Sequence, residues 1–168
     1  MRYFDLRGRS GFSFVELFIV MALIGTLIAL AMPSFTSSIP YFKLRGATRR
    51  LAAHLRLARQ VAIDRRVTTR VEFVTGSSPS YRIFTLDGSD TTYVKSPLTH
   101  RRISVDFESD KGLRGVAIDS VKAPDGSHID TICFYSLGDA SGGTIYLRCE
   151  SLGRVVEVDQ VTGKVKVH

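Results

Sequence analysis

One carboxylate stands alone in the most apolar part of the chain. Glu16 lies in FSFVELFIVMALIGTLIALAM, residues 12–32, where Ser13 and Thr26 are the only other polar side chains. An acid at mid-membrane costs about 2.5–3.5 kcal/mol on insertion scales, and less near the interface. Such a residue marks a functional position by default, because nothing in the span itself gains from it. The plain alternative is a side chain that snorkels to the interface.

Elsewhere the residues that do chemistry are scattered. There is no G-x-S-x-G elbow, H-E-x-x-H, P-loop or G-x-G-x-x-G, and His54, His100, His128 and His168 fall one to a segment. No catalytic residue is assigned, and the chain reads as a non-enzyme with no cofactor. Asp119, Asp125 and Asp130 bracket a glycine-containing loop without the calcium-loop spacing, so they read as turn acids and no metal ligand is named. Cys133 and Cys149 lie in consecutive strand-like segments joined by a glycine-rich turn, which can set them opposite each other in a hairpin. In an oxidising compartment they would form a structural disulfide if their Cα atoms approach to ~4.4–6.8 Å; otherwise they are buried free thiols.

These residues must be held by a small number of elements. At 168 residues, 44% hydrophobic and 23% charged, the chain is the size of one folded domain and is not disordered. Its net charge of +7 favours acidic partners, anionic lipid or nucleic acid among them. The 21 residues from Phe12 to Met32 would make a helix of ~31 Å, the thickness of a bilayer's hydrocarbon core. Arg2, Arg7 and Arg9 precede it against Asp5, so the positive-inside rule keeps that end cytoplasmic and sends the rest across the bacterial inner membrane. The expected topology is a single pass with a periplasmic C-terminal domain. A removable secretory signal cut after Ala29-Leu30-Ala31, releasing a periplasmic enzyme, is the competing reading.

Beyond the span, Pro33 and Pro40 flank SFTSSI, and a kink is expected at Pro33. Leu44, Ala47, Leu51, Leu55, Ala58 and Ala62 recur at spacings of three and four, the stripe of an amphipathic helix ending near Asp64. Arg45, Arg49 and Arg56 lie opposite the stripe with Arg50 and Arg59 on its flanks, a pattern that reads as a solvated face. After Arg66 the period changes to two. Strands are expected over 67–75, 81–86, 103–107, 116–118, 131–136, 144–148, 155–158 and 164–167, separated by Gly-, Asp-, Ser- and Pro-rich turns. The fold class is therefore α+β, a long N-terminal helix packed on a small, mainly antiparallel β-sheet domain.

Gly11-Phe12-Ser13-Phe14-Val15-Glu16-Leu17, after a short basic leader and before an apolar run, resembles the class III signal of type IV pilins and type II secretion pseudopilins. Gly25 and Pro33 are similar to the family pattern as well, and Phe14-Val15 stands in place of a commoner Leu-Ile or Leu-Val. The body extends the likeness: Leu51 to Ile63 followed by Arg65-Arg66-Val67 resembles the helix-to-strand passage of the pseudopilin H and minor pilin T/U family. Leu152-Gly153-Arg154-Val155 and Thr162-Gly163-Lys164-Val165 resemble its late turns.

The resemblance implies cleavage by a prepilin peptidase between Gly11 and Phe12 and methylation of Phe12. It divides the chain into a leader (1–11), a transmembrane helix (12–32), an amphipathic continuation (33–66) and a periplasmic β domain (67–168). Cutting before Phe12 creates an amino group at membrane depth, which Glu16 of a neighbouring subunit can neutralise. Loss of the leader leaves 20 Lys and Arg against 15 Asp and Glu, a net +5. The expected role is a minor pseudopilin near the tip of a periplasmic pseudopilus in type II protein secretion, assembled with other pseudopilins. The alternative is a minor type IV pilin used in pilus assembly or DNA uptake. Some such pilins carry Gly-Arg-x-Arg; here Gly153-Arg154-Val155-Val156 lacks the second basic residue, and Gly163-Lys164-Val165-Lys166 has the spacing with lysines. Arg154, Lys164 and Lys166 are the candidate DNA contacts on that reading.

Overall fold

The computed structural model describes residues 13–76, 78–88, 90–97 and 99–168, with the side chains of 31–37 outside the description. Two compact units are distinguished, Met1–Ser38 and Ile39–His168. Helix α1 spans Phe14–Arg65. It is rich in Leu, Ala and Arg, strong helix formers, and its assignment continues through Pro33 and Pro40. Among the described residues no helix is long and apolar enough to cross a membrane. The described side chains of the apolar segment end at Leu30, so the span read as 12–32 is described only in part.

The end of α1 has a clear cause. The Val67 amide donates to the Ala62 carbonyl at 3.2 Å and the Arg66 amide to the Ile63 carbonyl at 3.3 Å, with Arg66 left-handed at φ 55°. That pair of bonds closes the last turn and satisfies its orphan carbonyls, usually around a glycine. Val67, Thr68 and Thr69 are β-branched and leave directly as a strand.

Nine strands follow among the described residues: β1 Thr68–Val74, β2 Ser80–Asp87, β3 Asp90–Tyr93, β4 Ser104–Asp106, β5 Val116–Lys122, β6 Thr131–Phe134, β7 Gly143–Cys149, β8 Leu152–Val158 and β9 Val165–Val167. They form two antiparallel sheets rather than the one expected. The first has the order β3-β2-β1-β6, with β4 also on β2, and the second the order β5-β7-β8-β9. Strand β3 escapes a reading by hydrophobicity because Asp90-Thr91-Thr92-Tyr93 is polar and mostly exposed at a sheet edge. Strand β5 runs on past Ile118 because the register shifts at a bulge between Ile118 and Ser120, which hides its alternation.

The helical stripe meets its expectation. Leu44, Ala47, Leu51, Leu55, Ala58 and Ala62 are all buried, in one cluster with Val71, Ile83, Ile132 and Phe134 of the first sheet and Ile118, Ile145, Leu147 and Val156 of the second. Small residues at 47, 58 and 62 let the backbone of α1 approach both sheets closely, while the leucines fill the gaps between.

The expected Cys133–Cys149 bridge is not formed; both cysteines are free. The turn after β6 folds back so that Cys133 faces Ser141, whose amide donates to the Cys133 carbonyl at 2.8 Å. The chain then crosses into the second sheet, and Cys149 sits at the far end of seven-residue β7, opposite Val116 and Leu152. A strand of that length carries it roughly 20 Å along the sheet, beyond the reach of a disulfide. Burial, with Glu150 beside it, pushes the Cys149 thiol up and makes it a poor nucleophile. Denatured full-length protein, never exposed to reductant, is therefore expected to alkylate at both cysteines; an unlabelled pair would contradict this topology.

Candidate functional site

The sequence points to two regions, the acid near the start of α1 and the late turns that carry Arg154, Lys164 and Lys166. Gly11 and Phe12 lie outside the described residues, as does the side chain of Pro33. Glu16 lies in the first turn of α1, where a carboxylate complements the helix dipole. It is exposed, and among the described residues it has no hydrogen-bond or ion-pair partner. Every side chain from Phe14 to Leu30 is exposed. Thr26 satisfies its hydroxyl internally by donating to the Leu23 carbonyl at 2.8 Å. Gly25 has open space around the position of a Cβ, so packing inside this chain does not require a glycine there. The described surface of this segment is thus apolar apart from Ser13, Glu16 and Thr26, and Glu16 is its one ionisable group.

The basic residues come together from three elements within Ile39–His168. A cleft of about 510 Å³ is lined by Tyr41, Arg45, Arg49 and Arg56 of α1 together with Arg154 of β8 and Val167 of β9. The Arg154 guanidinium lies over the Tyr41 ring, 5.6 Å from its centroid. A second cleft of about 370 Å³ shares Arg56 and adds Arg59, Lys164 and Lys166. Arg56 and Arg59 are held in place by donating to the carbonyls of Val165 at 3.2 Å and Gly138 at 3.0 Å. Arg154 of β8, Lys164 just before β9 and Lys166 of β9 are therefore brought beside the arginine face that sequence periodicity reads as solvated. Tyr41 was missed by the sequence reading; its only signal is an aromatic residue directly after Pro40.

The remaining candidates are local structure. Asp125 accepts from the amide of Ser127 at 2.9 Å and from its hydroxyl at 2.6 Å, which holds its carboxyl below the usual range. Asp119 pairs with Arg148 at 3.0 Å, and Asp130 accepts from the Thr131 hydroxyl. Asp125 and Asp130 thus bond to near neighbours in sequence and Asp119 ties β5 to β7, and among the described residues no acid, histidine and cysteine group is arranged to hold a metal.

His54, half-buried on α1, is hydrogen-bonded through Nδ1 to the Tyr81 hydroxyl at 2.8 Å. Desolvation, reinforced by the Arg50 charge, lowers its pKa to about 4, and burial raises that of Tyr81. Arg50 in turn pairs with Asp110, and that hydrogen bond holds the Asp110 carboxyl below its ordinary value. The unfolded chain takes up a proton at His54 near pH 6.5 and the folded chain only near 4. Folding stability is therefore expected to fall as pH drops from about 6.5 to about 4, and His54→Gln should flatten that slope in thermal melts. An unchanged slope would remove His54 as its source.

A protein family described as "type II transport protein GspH" has a profile that matches residues 47–162. The chain belongs to that family. The GspH match takes in most of the amphipathic helix and strands β1 to β8, most of the body in which the sequence resembles pseudopilin H and the minor pilins T and U. Among solved structures, the minor pseudopilin EpsH from the type II secretion system of Vibrio cholerae matches at TM-score 0.58, with 11% identity over 74% of this chain and 92% of that one. A second EpsH structure matches at TM-score 0.57, with 11% identity over 75% of this chain and 96% of that one. The type IV minor pilin FimU of Pseudomonas aeruginosa matches at 0.51, with 18% identity over 74% of this chain and 87% of that one. At these identities the likeness is one of fold, and it is to a type IV pilin-like minor pseudopilin. No curated protein sequence matches this GspH-family chain significantly.

Proposed function

We propose that this GspH-family protein is a minor pseudopilin, a structural subunit near the tip of a periplasmic pseudopilus that serves type II protein secretion. A prepilin peptidase cuts between Gly11 and Phe12, Phe12 is methylated, and residues 12–32 anchor the subunit in the inner membrane before and during assembly. The kink at Pro33 belongs to the same proposal. The observation that carries the assembly role is Glu16, a carboxylate without a partner among the described residues, set on an exposed apolar helix. A neighbouring subunit's Phe12 amine supplies the charge that balances it. Intact-mass and N-terminal analysis of protein extracted from membranes tests the reading. A methylated Phe12 start is the expected result; a start at Met32 would place cleavage after Ala31, make the protein a secreted one and defeat the proposal.

A second reading, a minor type IV pilin that contacts DNA, is favoured by one observation: Arg154, Lys164 and Lys166 line basic clefts with helix arginines. Phosphate contacts of this kind are sequence-independent and weaken steeply with salt. Retention of the protein on duplex DNA at low salt, lost at higher salt, would support that reading, and no salt-sensitive retention would discard it.

A further inference from the structure

The two basic clefts meet at Arg56 and run along the same side of α1. From Arg45 to Arg59 the track is about 20 Å long at the helical rise. Neither lining includes a carboxylate. Among the described residues Arg45, Arg49 and Arg154 have no ion-pair partner, whereas Arg50, Arg82 and Arg148 are each paired. Arginines crowded without counter-charges repel one another, so the arrangement is stable in a complex that supplies negative charge.

We propose that this track is a docking site for an acidic polypeptide segment of a neighbouring subunit. Three features select that occupant. First, the binding groups are mostly guanidiniums, whose planar fork matches a carboxylate with two parallel hydrogen bonds. Arg56 and Arg59 are already immobilised on backbone carbonyls, which lowers the entropy lost on binding. Second, the walls between the charges are apolar or small, Ala52, Val165 and Val167, and suit the aliphatic stems of Asp and Glu. Third, the one aromatic ring in either lining, Tyr41, is covered by Arg154 and flanked edge-on by Phe42 at 5.7 Å. A nucleic-acid base stacking on that face of Tyr41 would have to displace the Arg154 guanidinium. A second copy of the chain is disfavoured because both partners carry the same net charge, +7 as translated. The source of the segment, a neighbouring subunit, rests on the pseudopilus reading; the binding chemistry does not.

The test uses full-length protein in detergent and fluorescence anisotropy with four labelled probes: a Glu-Ala repeat peptide, its Gln-Ala counterpart, and a single-stranded and a duplex oligonucleotide of equal charge. The Glu-Ala peptide is expected to bind in a salt-sensitive way and the Gln-Ala peptide not at all, with both oligonucleotides bound at least about tenfold more weakly. Arg49→Gln and Arg154→Gln should each weaken the Glu-Ala peptide by about tenfold, the worth of one charged hydrogen bond. Arg154→Lys should restore part of the loss, and Arg101→Gln, outside the track, should change nothing. Equal binding of the Gln-Ala peptide, unchanged affinity in Arg154→Gln with an unaltered melt, or tighter binding of either oligonucleotide would each overturn the proposal. In cells, the Arg49→Glu, Arg154→Glu double variant should reduce incorporation into filaments. If Glu16→Leu blocks incorporation while the double variant incorporates and binds peptide normally, the docking inference fails and the pseudopilus reading stands. If Glu16→Leu incorporates normally, the pseudopilus reading fails whatever the peptide does.

Discussion

Glu16→Leu is expected to leave the melting of the β domain unchanged and to remove the protein from isolated filaments. The fold of Ile39–His168 has its own core, to which no described residue before Leu44 contributes, so a substitution at position 16 removes none of the contacts described in that core. In the proposed assembly, however, the substitution leaves the neighbour's amino group charged and unpaired out of water. Breaking one side of a buried ion pair costs about 3–5 kcal/mol, because the abandoned charge stays desolvated. That corresponds to a loss of at least about a hundredfold in assembly affinity. Leucine also makes the segment more apolar, so membrane insertion itself should improve. Glu16→Gln, which keeps the shape and loses the charge, should fail nearly as badly. Immunoblots of sheared or purified filaments, with total membrane protein as the reference, measure the effect. Wild-type incorporation of Glu16→Leu would end the role assigned to this carboxylate.

Gly163→Ala is expected to destabilise the β domain by about 2–5 kcal/mol, from backbone strain and steric overlap together. Gly163 has a left-handed φ of +61°, and a Cβ there would run into the Gly138 carbonyl oxygen and the Arg59 side chain. Those neighbours cannot yield cheaply. The Gly138 oxygen accepts the hydrogen bond from Arg59, and the turn carrying Gly163 is fixed by Asp159, which accepts from the Thr162 amide at 2.7 Å and the Thr162 hydroxyl at 2.8 Å. Displacing one loop therefore strips α1 of a contact to the turn after β6. The same change would shift Lys164 relative to Arg59 and disturb the second basic cleft. Thermal denaturation of the full chain measures it, and a melt equal to wild type would show that the two turns are not locked together in this way.

The features legible in the sequence are those in which each residue reports its own surroundings. The spacing of Leu44, Ala47, Leu51, Leu55, Ala58 and Ala62 gave the buried face of α1 because a helix repeats its orientation every 3.6 residues, and burial follows that period. The change to a period of two marked most strands in the same way, and Glu16 was conspicuous because nothing near it in sequence is charged. What only the tertiary structure decided is which strand lies beside which. A turn of the same composition can close a hairpin or pass the chain to another sheet, and the segment between β6 and β7 does the latter. That choice separates Cys133 from Cys149, and the placement of β8 and β9 brings Arg154, Lys164 and Lys166 beside the arginines of α1. Local pattern records whether a residue is buried; partnership depends on contacts between residues as much as 109 positions apart, as between Arg56 and Val165, and those are set by packing the whole core at once.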